Sequence, residues 1–170
     1  ATTMRRQVDH HLARARAVGR RGHAHSRANV WDSLESVERA VSRLYAHIRL
    51  DMDGNQSLAA RVERQDLDEM LGNLIENAAK YGGGSVFVTV EEKDEFVEML
   101  VEDDGMGIPE KERDRIFDRG ARLDTGKPGT GLGLAIVRDV AEIYDGNVTL
   151  EESEDLGGLL VRLRLPKALN

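Results

Sequence analysis

Residues 73–84 read Asn-Leu-Ile-Glu-Asn-Ala-Ala-Lys-Tyr-Gly-Gly-Gly. Just upstream, Leu67, Met70, Leu71, Leu74, Ile75 and Ala78 recur at helical spacing, so this stretch ends a helix that Asp66 is placed to cap and that runs to about Tyr81. The three glycines stop it. Asn73, Asn77, Lys80 and Tyr81 follow one another at i, i+4, i+7 and i+8, and so share a face beside the apolar one. Two uncharged amides and an ammonium are costly in a core and useful in a site. An amide oxygen is a hard ligand suited to Mg²⁺, which keeps waters and phosphate oxygens as its other ligands. Lys80 can neutralise a phosphate. Taken alone, a solvated polar face explains this helix equally well.

Working outward, Val86, Val88 and Val90 alternate, and Phe96 to Val101 alternates less cleanly, which predicts a hairpin turning at Lys93-Asp94. Upstream, Val30, Leu34, Val37, Val41 and Leu44 make a helical stripe over about 30–47, capped by Asn29 or Asp32. Ile48 to Met52 reads as a strand, Asp53-Gly54-Asn55 as a turn, and Ala60 to Glu63 as a short strand. Downstream, a short helix follows Pro109 and ends near Phe117-Asp118. Residues 119–130 have no apolar period and are expected to be mobile. A helix spans about Gly131 to Tyr144, and strands at 147–153 and 158–165 turn at Gly157-Gly158. Met4, Val8, His11, Ala15 and Val18 form a short helical seam, and Gly19 to Asn29 reads as a hinge. The expected organisation is residues 1–29 as the end of a helix plus hinge, and 30–170 as an α+β two-layer sandwich: a mixed, mostly antiparallel sheet covered by three helices.

Seven of the 17 glycines lie between positions 105 and 133. Five of them fall in two runs. Asp103-Asp104-Gly105-Met106-Gly107-Ile108-Pro109 follows an apolar strand, and Gly129-Thr130-Gly131-Leu132-Gly133-Leu134 opens a helix. Glycine allows close backbone approach, and amides at a helix N-terminus attract phosphate. Neither run is a P-loop, since no Gly-Lys-Ser/Thr follows, and neither matches the dinucleotide fingerprint. Each alone is as readily an ordinary turn.

The three segments together, in this order and spacing, resemble the N, G1 and G2 boxes of the ATP-binding catalytic domain of bacterial sensor histidine kinases. Ile116-Phe117-Asp118-Arg119-Gly120 resembles the F box between them. Within that family the run from Phe117 to Gly129 is most similar to PhoQ-type kinases. The resemblance covers about residues 48–166 and implies the GHKL sandwich shared with gyrase, MutL and the large heat-shock chaperone ATPases. It implies ATP and Mg²⁺ as cofactors. Asp103 is similar to the residue that accepts from the adenine amino group, with Gly105, Gly107 and Ile108 completing that loop. Asn77, and Asn73 as a second candidate, resemble the metal and phosphate residues. Lys80, Arg119, Arg122 and Lys127 match phosphate-contacting cations, and Tyr81 packs near ribose and base. Gly129, Thr130, Gly131, Leu132, Gly133 and Leu134 form the lid hinge and phosphate cradle. Asp104 reads either as a second, water-mediated base contact or as an exposed loop carboxylate. Glu76 and Glu102 read as solvated surface groups.

ATP-hydrolysing members of the superfamily resemble one another in carrying Glu four residues before the metal Asn. Here that position is Asn73, and an amide takes no proton at neutral pH, which favours transfer over hydrolysis. The family's acceptor His is followed by Glu or Asp, whereas His10-His11 is followed by Leu12. The acceptor is therefore expected upstream of residue 1, on a dimerisation domain acting in cis or trans, with a response regulator receiver domain next in the relay. The resemblance implies a cytoplasmic catalytic portion whose full-length parent lies in the bacterial inner membrane. The alternatives are a non-catalytic ATP-binding regulatory module and a GHKL ATPase.

Composition narrows the partners. The net charge is −7 over 170 residues, but residues 1–29 carry +6 and the rest −13. An acidic body argues against nucleic acid as a partner, which needs many cations to neutralise its phosphates. There is no cysteine, so disulfides and thiolate chemistry are excluded.

Overall fold

The computed structural model describes residues 25–105 and 130–169, with side chains described throughout except at residues 130–132. Strand β1 (Ala28–Asn29) leads directly into helix α1 (Val30–Leu44). Asn29 is the cap: its backbone is extended and its side-chain oxygen accepts the Asp32 N–H at 2.8 Å. Val30, Leu34, Val37 and Val41 are buried, as the periodicity requires. The helix stops at Leu44 rather than near 47, because Tyr45 leaves the helical region and the chain turns through an Ile48 N–H to Tyr45 carbonyl bond of 3.0 Å. Strand β2 (Arg49–Gly54) follows, then β3 (Ala59–Ala60), which pairs antiparallel with β1. The end of the expected hinge is thus a buried strand, held by small alanines on both sides.

Helix α2 (Arg64–Tyr81) begins two residues before Asp66, with Glu63 at the cap position and no side-chain capping bond. Asp66 is not the cap. Its carboxylate is buried in the first turn beside Leu67 and Met70 and accepts the hydroxyl of Tyr144. Gly82 ends the helix, its N–H returning to the Ala78 carbonyl at 2.9 Å. Strands β4 (Ser85–Lys93) and β5 (Phe96–Asp103) form the hairpin, with Asp94 at positive φ in its turn. Helix α3 (Thr130–Ile143) and the hairpin β6 (Asn147–Glu152) and β7 (Leu159–Pro166) complete the described chain.

The sheet order is β2-β4-β5-β7-β6. Among the described residues only β2 and β4 run parallel, since the crossover between them carries α2; the β4–β5 and β6–β7 hairpins are antiparallel, and so is the β5–β7 pair, whose connection runs through α3 and β6. The register fixes the two faces. Val88 opposes Val101, which opposes Val161; Val90 opposes Met99, which opposes Leu163. These residues are buried against the three helices in one core with Leu67, Leu71, Leu74, Val137 and Tyr144. The opposite face carries Glu98, Leu100, Glu102, Arg162 and Arg164, with Arg162 bonded to Glu98 at 2.7 Å and to Glu151 at 2.8 Å. The fold is the expected α+β two-layer sandwich, with three helices on a mixed, mostly antiparallel sheet. It brings the C-terminal half of α2, the end of β5 and the first turns of α3 to the same place.

Candidate functional site

Helix α2 buries Leu74, Ile75, Ala78 and Ala79, which turns Asn73, Asn77 and Lys80 away from the core. The two asparagines are not simply solvated. The Nδ2 atoms of both are buried and have no hydrogen-bond partner among the described residues. An orphaned buried amide costs roughly 1–3 kcal/mol, so two on one helix face are a liability unless something else satisfies them. Gly133, in the first turn of α3, closes on the same spot: a Cβ there would lie 3.3 Å from Asn77 Nδ2. The next residue, Leu134, is buried in the core and anchors that turn. Lys80 Nζ stands 6.0 Å from the centre of the Tyr81 ring, at the outer limit for a cation–π contact.

The second half of the site is the end of β5. Asp103 is 6% exposed, on the helix-facing side of the sheet opposite Val86. Its Oδ1 accepts the Gly105 N–H at 2.9 Å and the Leu159 N–H at 3.2 Å. No bond to Oδ2 occurs among the described residues. Burial raises the carboxyl pKa above the ordinary 3.8, and the two N–H groups only partly offset this. Close glycines surround it. A Cβ on Gly158 would sit 2.3 Å from Asp103 Oδ1, and one on Gly82 would sit 3.0 Å from Asp103 Cβ. Gly105 packs as tightly on Gly82 Cα, so the helix end and the strand end are in direct contact. The site therefore offers a buried acceptor, two buried amide donors and a helix N-terminus.

Three carboxylates are more enclosed than a solvated-surface reading expects. Asp104 is neither exposed nor free: its Oδ1 accepts the N–H groups of Gly83 at 2.9 Å and Ser85 at 3.0 Å, and so ties the triple-glycine turn. Glu102 is 5% exposed and accepts the Ser153 hydroxyl at 3.0 Å. It faces away from Asp103, on the side of the sheet that period-two alternation assigns to solvent, where the turn after β6 covers it. Glu76 is half-buried and accepts the Tyr45 hydroxyl at 3.3 Å, which together with burial raises the tyrosine pKa.

Asn73, Asn77, Lys80, Tyr81, Asp103, Gly105, Gly133 and Leu134 thus lie around one end of the sandwich. Residues 130–132 begin α3. Gly107, Ile108, Arg119, Arg122, Lys127 and Gly129 lie outside the described residues, as do the short helix after Pro109 and the segment 119–129. Sequence reading missed Gly82, Gly158 and the Leu159 N–H. Gly157-Gly158 reads only as a turn, and nothing local shows that it closes on a residue more than fifty positions away.

No helix among the described residues is long and apolar enough to cross a membrane. Residues 62–169 match the family model of the histidine kinase-, DNA gyrase B- and HSP90-like ATPases. The chain is 39% identical over 163 residues to the two-component sensor PhoQ of Pseudomonas aeruginosa, covering 95% of this chain and 36% of that protein. It is 38% identical over 127 residues to the sensor protein PhoQ of Escherichia coli K12, covering 74% and 26%. The chain thus spans only about a quarter to a third of the length of these relatives. Among solved structures, the mycobacterial sensor histidine kinase MprB superposes with a TM-score of 0.76 at 26% identity, over 86% of this chain and 99% of that one. The chain belongs to the histidine kinase-, DNA gyrase B- and HSP90-like ATPase family, with sensor histidine kinases as its relatives.

Proposed function

We propose that this chain binds Mg-ATP between α2 and α3 and presents the γ-phosphoryl group to a histidine on a dimerisation domain of the same kinase, in cis or trans, for relay to a response regulator. In this reading it is the cytoplasmic catalytic portion of an inner-membrane sensor. The observation that carries the proposal is the pair of buried amides of Asn73 and Asn77, without a partner among the described residues, with Asn77 beside the first turn of α3. They suit a magnesium-bound phosphate. A carboxamide offers an oxygen to a hard cation and an N–H₂ to a phosphate oxygen, so one side chain serves both. When bound, Mg²⁺ neutralises charge on the transferring phosphoryl group.

The chain's own residues do the rest. Asp103 accepts the adenine amino group on the oxygen its backbone partners leave free. Guanine, which presents a carbonyl there, is rejected. Lys80, with Arg119, Arg122 and Lys127, counters phosphate charge, and the N–H groups opening α3 face the same anion. Asn73 accepts no proton at neutral pH, so no side chain at that position activates water. Rate enhancement then comes from positioning and charge neutralisation.

Calorimetric titration of the full chain with ATP in millimolar Mg²⁺ tests the binding step; absence of heat from folded protein refutes it. Adding a histidine-bearing helix pair in trans should give acid-labile phosphate. Binding without transfer points to a regulatory module, and steady ATP turnover without acceptor points to an ATPase.

A further inference from the structure

The turn between β6 and β7 reaches around the last two residues of β5. On the outer face, Ser153, 1% exposed, donates its hydroxyl to Glu102 at 3.0 Å. The same Oγ accepts the Leu156 N–H at 3.0 Å, while the Ser153 N–H bonds the Gly158 carbonyl and its carbonyl accepts the Gly157 N–H, each at 2.8 Å. Ser153 therefore organises the whole turn. On the inner face the turn delivers two contacts to the next residue of β5. Gly158 N–H donates to the Asp103 carbonyl at 3.1 Å, and Leu159 N–H donates to Asp103 Oδ1 at 3.2 Å. There is no slack, since even one carbon on Gly158 would lie 2.3 Å from that oxygen.

We infer that the Ser153–Glu102 pair is a positioning device for nucleotide selection: it fastens the turn on one face of the sheet so that Leu159 N–H and Gly158 hold the Asp103 carboxylate on the other. A buried acid on the outer face is costly unless hydrogen-bonded. The apolar alternative would seal the sheet without specifying where the turn lies. With the Glu102 contact in place, Oδ1 is held by the Leu159 and Gly105 N–H groups, and Oδ2, with no bond among the described residues, is left for the base. The inference rests on the proposed role of Asp103 and adds residues that do not touch nucleotide.

The test compares ATP with purine riboside triphosphate, which lacks the 6-amino group, by calorimetry on the full chain in Mg²⁺. The wild type should prefer ATP by about tenfold or more, the worth of a charge-assisted hydrogen bond. Ser153→Ala and Glu102→Ala should reduce that preference to about twofold, while affinity for the amino-free analogue stays within about twofold. Glu102→Gln, which keeps an acceptor for the hydroxyl, should retain the preference. Ser153→Cys, similar in volume but a weak donor, serves where Ser153→Ala does not fold. Variants that lower the melting temperature yet keep the full ATP preference overturn the inference and leave the pair purely structural. A wild type that binds both nucleotides equally instead overturns the reading of Asp103 itself.

Discussion

Asp103→Asn should make the protein more stable and a poorer ATP binder, and both effects follow from the same geometry. The carboxylate is buried, and burial raises its pKa above 3.8 despite the N–H groups of Gly105 and Leu159. A carboxyl held more tightly protonated in the folded state stabilises that state below the ordinary carboxylate range. That contribution is lost as pH rises through the folded value. At neutral pH the wild type therefore carries a buried charge that asparagine avoids, while asparagine Oδ1 still accepts both N–H groups. The urea midpoint of the variant should exceed that of the wild type at pH 7, and the gap should close as pH falls into the carboxylate range. For ATP, the variant presents Nδ2 where Oδ2 stood. Losing a charge-assisted bond is worth about 1.5–3 kcal/mol, or about 10- to 150-fold in Kd. The donor now facing the base should favour inosine triphosphate, whose 6-position is a carbonyl, over ATP. Titration calorimetry with both nucleotides, alongside urea melts at several pH values, measures each half. Unchanged preference for ATP, or a variant less stable at every pH, refutes the reasoning.

Asn77→Ala removes a buried amide without a partner among the described residues, so the ligand-free melting temperature should hold or rise, while Mg-ATP affinity falls by about tenfold or more and metal-free nucleotide far less; equal losses in titrations with and without EDTA contradict this. Tyr144→Phe deprives buried Asp66 of the phenol and should cost about 1–3 kcal/mol in urea denaturation. Burial and Asp66 raise the Tyr144 pKa above 10.0, so this group's stabilising contribution is present below that pH and lost above it, and the variant should lack the alkaline loss. Arg162→Met leaves Glu98, 2% exposed, without its 2.7 Å partner and should cost about 1–3 kcal/mol, discounted because the guanidinium is partly exposed. Replacing Glu98 by Leu in the same variant should restore most of the midpoint.

What could be read from the sequence was what is local. Helix α2 and the β4–β5 hairpin declare themselves by period, Asn73 and Asn77 by their shared helix face once the glycine runs are set beside it, and Asp103 only through the family resemblance of its loop. Contacts across the sheet could not be read. Asp66 looks like a cap because it stands at the start of a helical pattern, but whether it caps or meets a tyrosine depends on where α3 ends. Glu102 looks solvated because alternation puts it on the outer face, and no pattern in its own strand shows that Ser153, 51 positions later, covers it. The chain around Ala28 looks like a hinge because its strand partner, Ala60, lies in a segment whose own pattern is too short to be decisive.

The same features explain why asparagine rather than a carboxylate suits position 73. A Glu there would supply only acceptors and would add negative charge to the helix face that carries Asn77. Phosphate oxygens would then meet repulsion that the nearby cations would have to overcome. A carboxamide keeps an oxygen for the cation and turns two N–H donors toward the anion. In the absence of ligand, however, that donor pair costs folding free energy, because Nδ2 is buried and has no acceptor among the described residues. The penalty falls on the free state alone. Any anion that satisfies both amides is bound more tightly by the amount the free protein forgoes, and ligand saturation raises stability by mass action, by about 2.7 kcal/mol at a hundredfold excess over Kd. A Glu at the same position would bring no orphaned N–H donor into the free state and would weaken that linkage. In the proposed reading, retaining ATP for transfer and tolerating unsatisfied amides are the same choice of side chain.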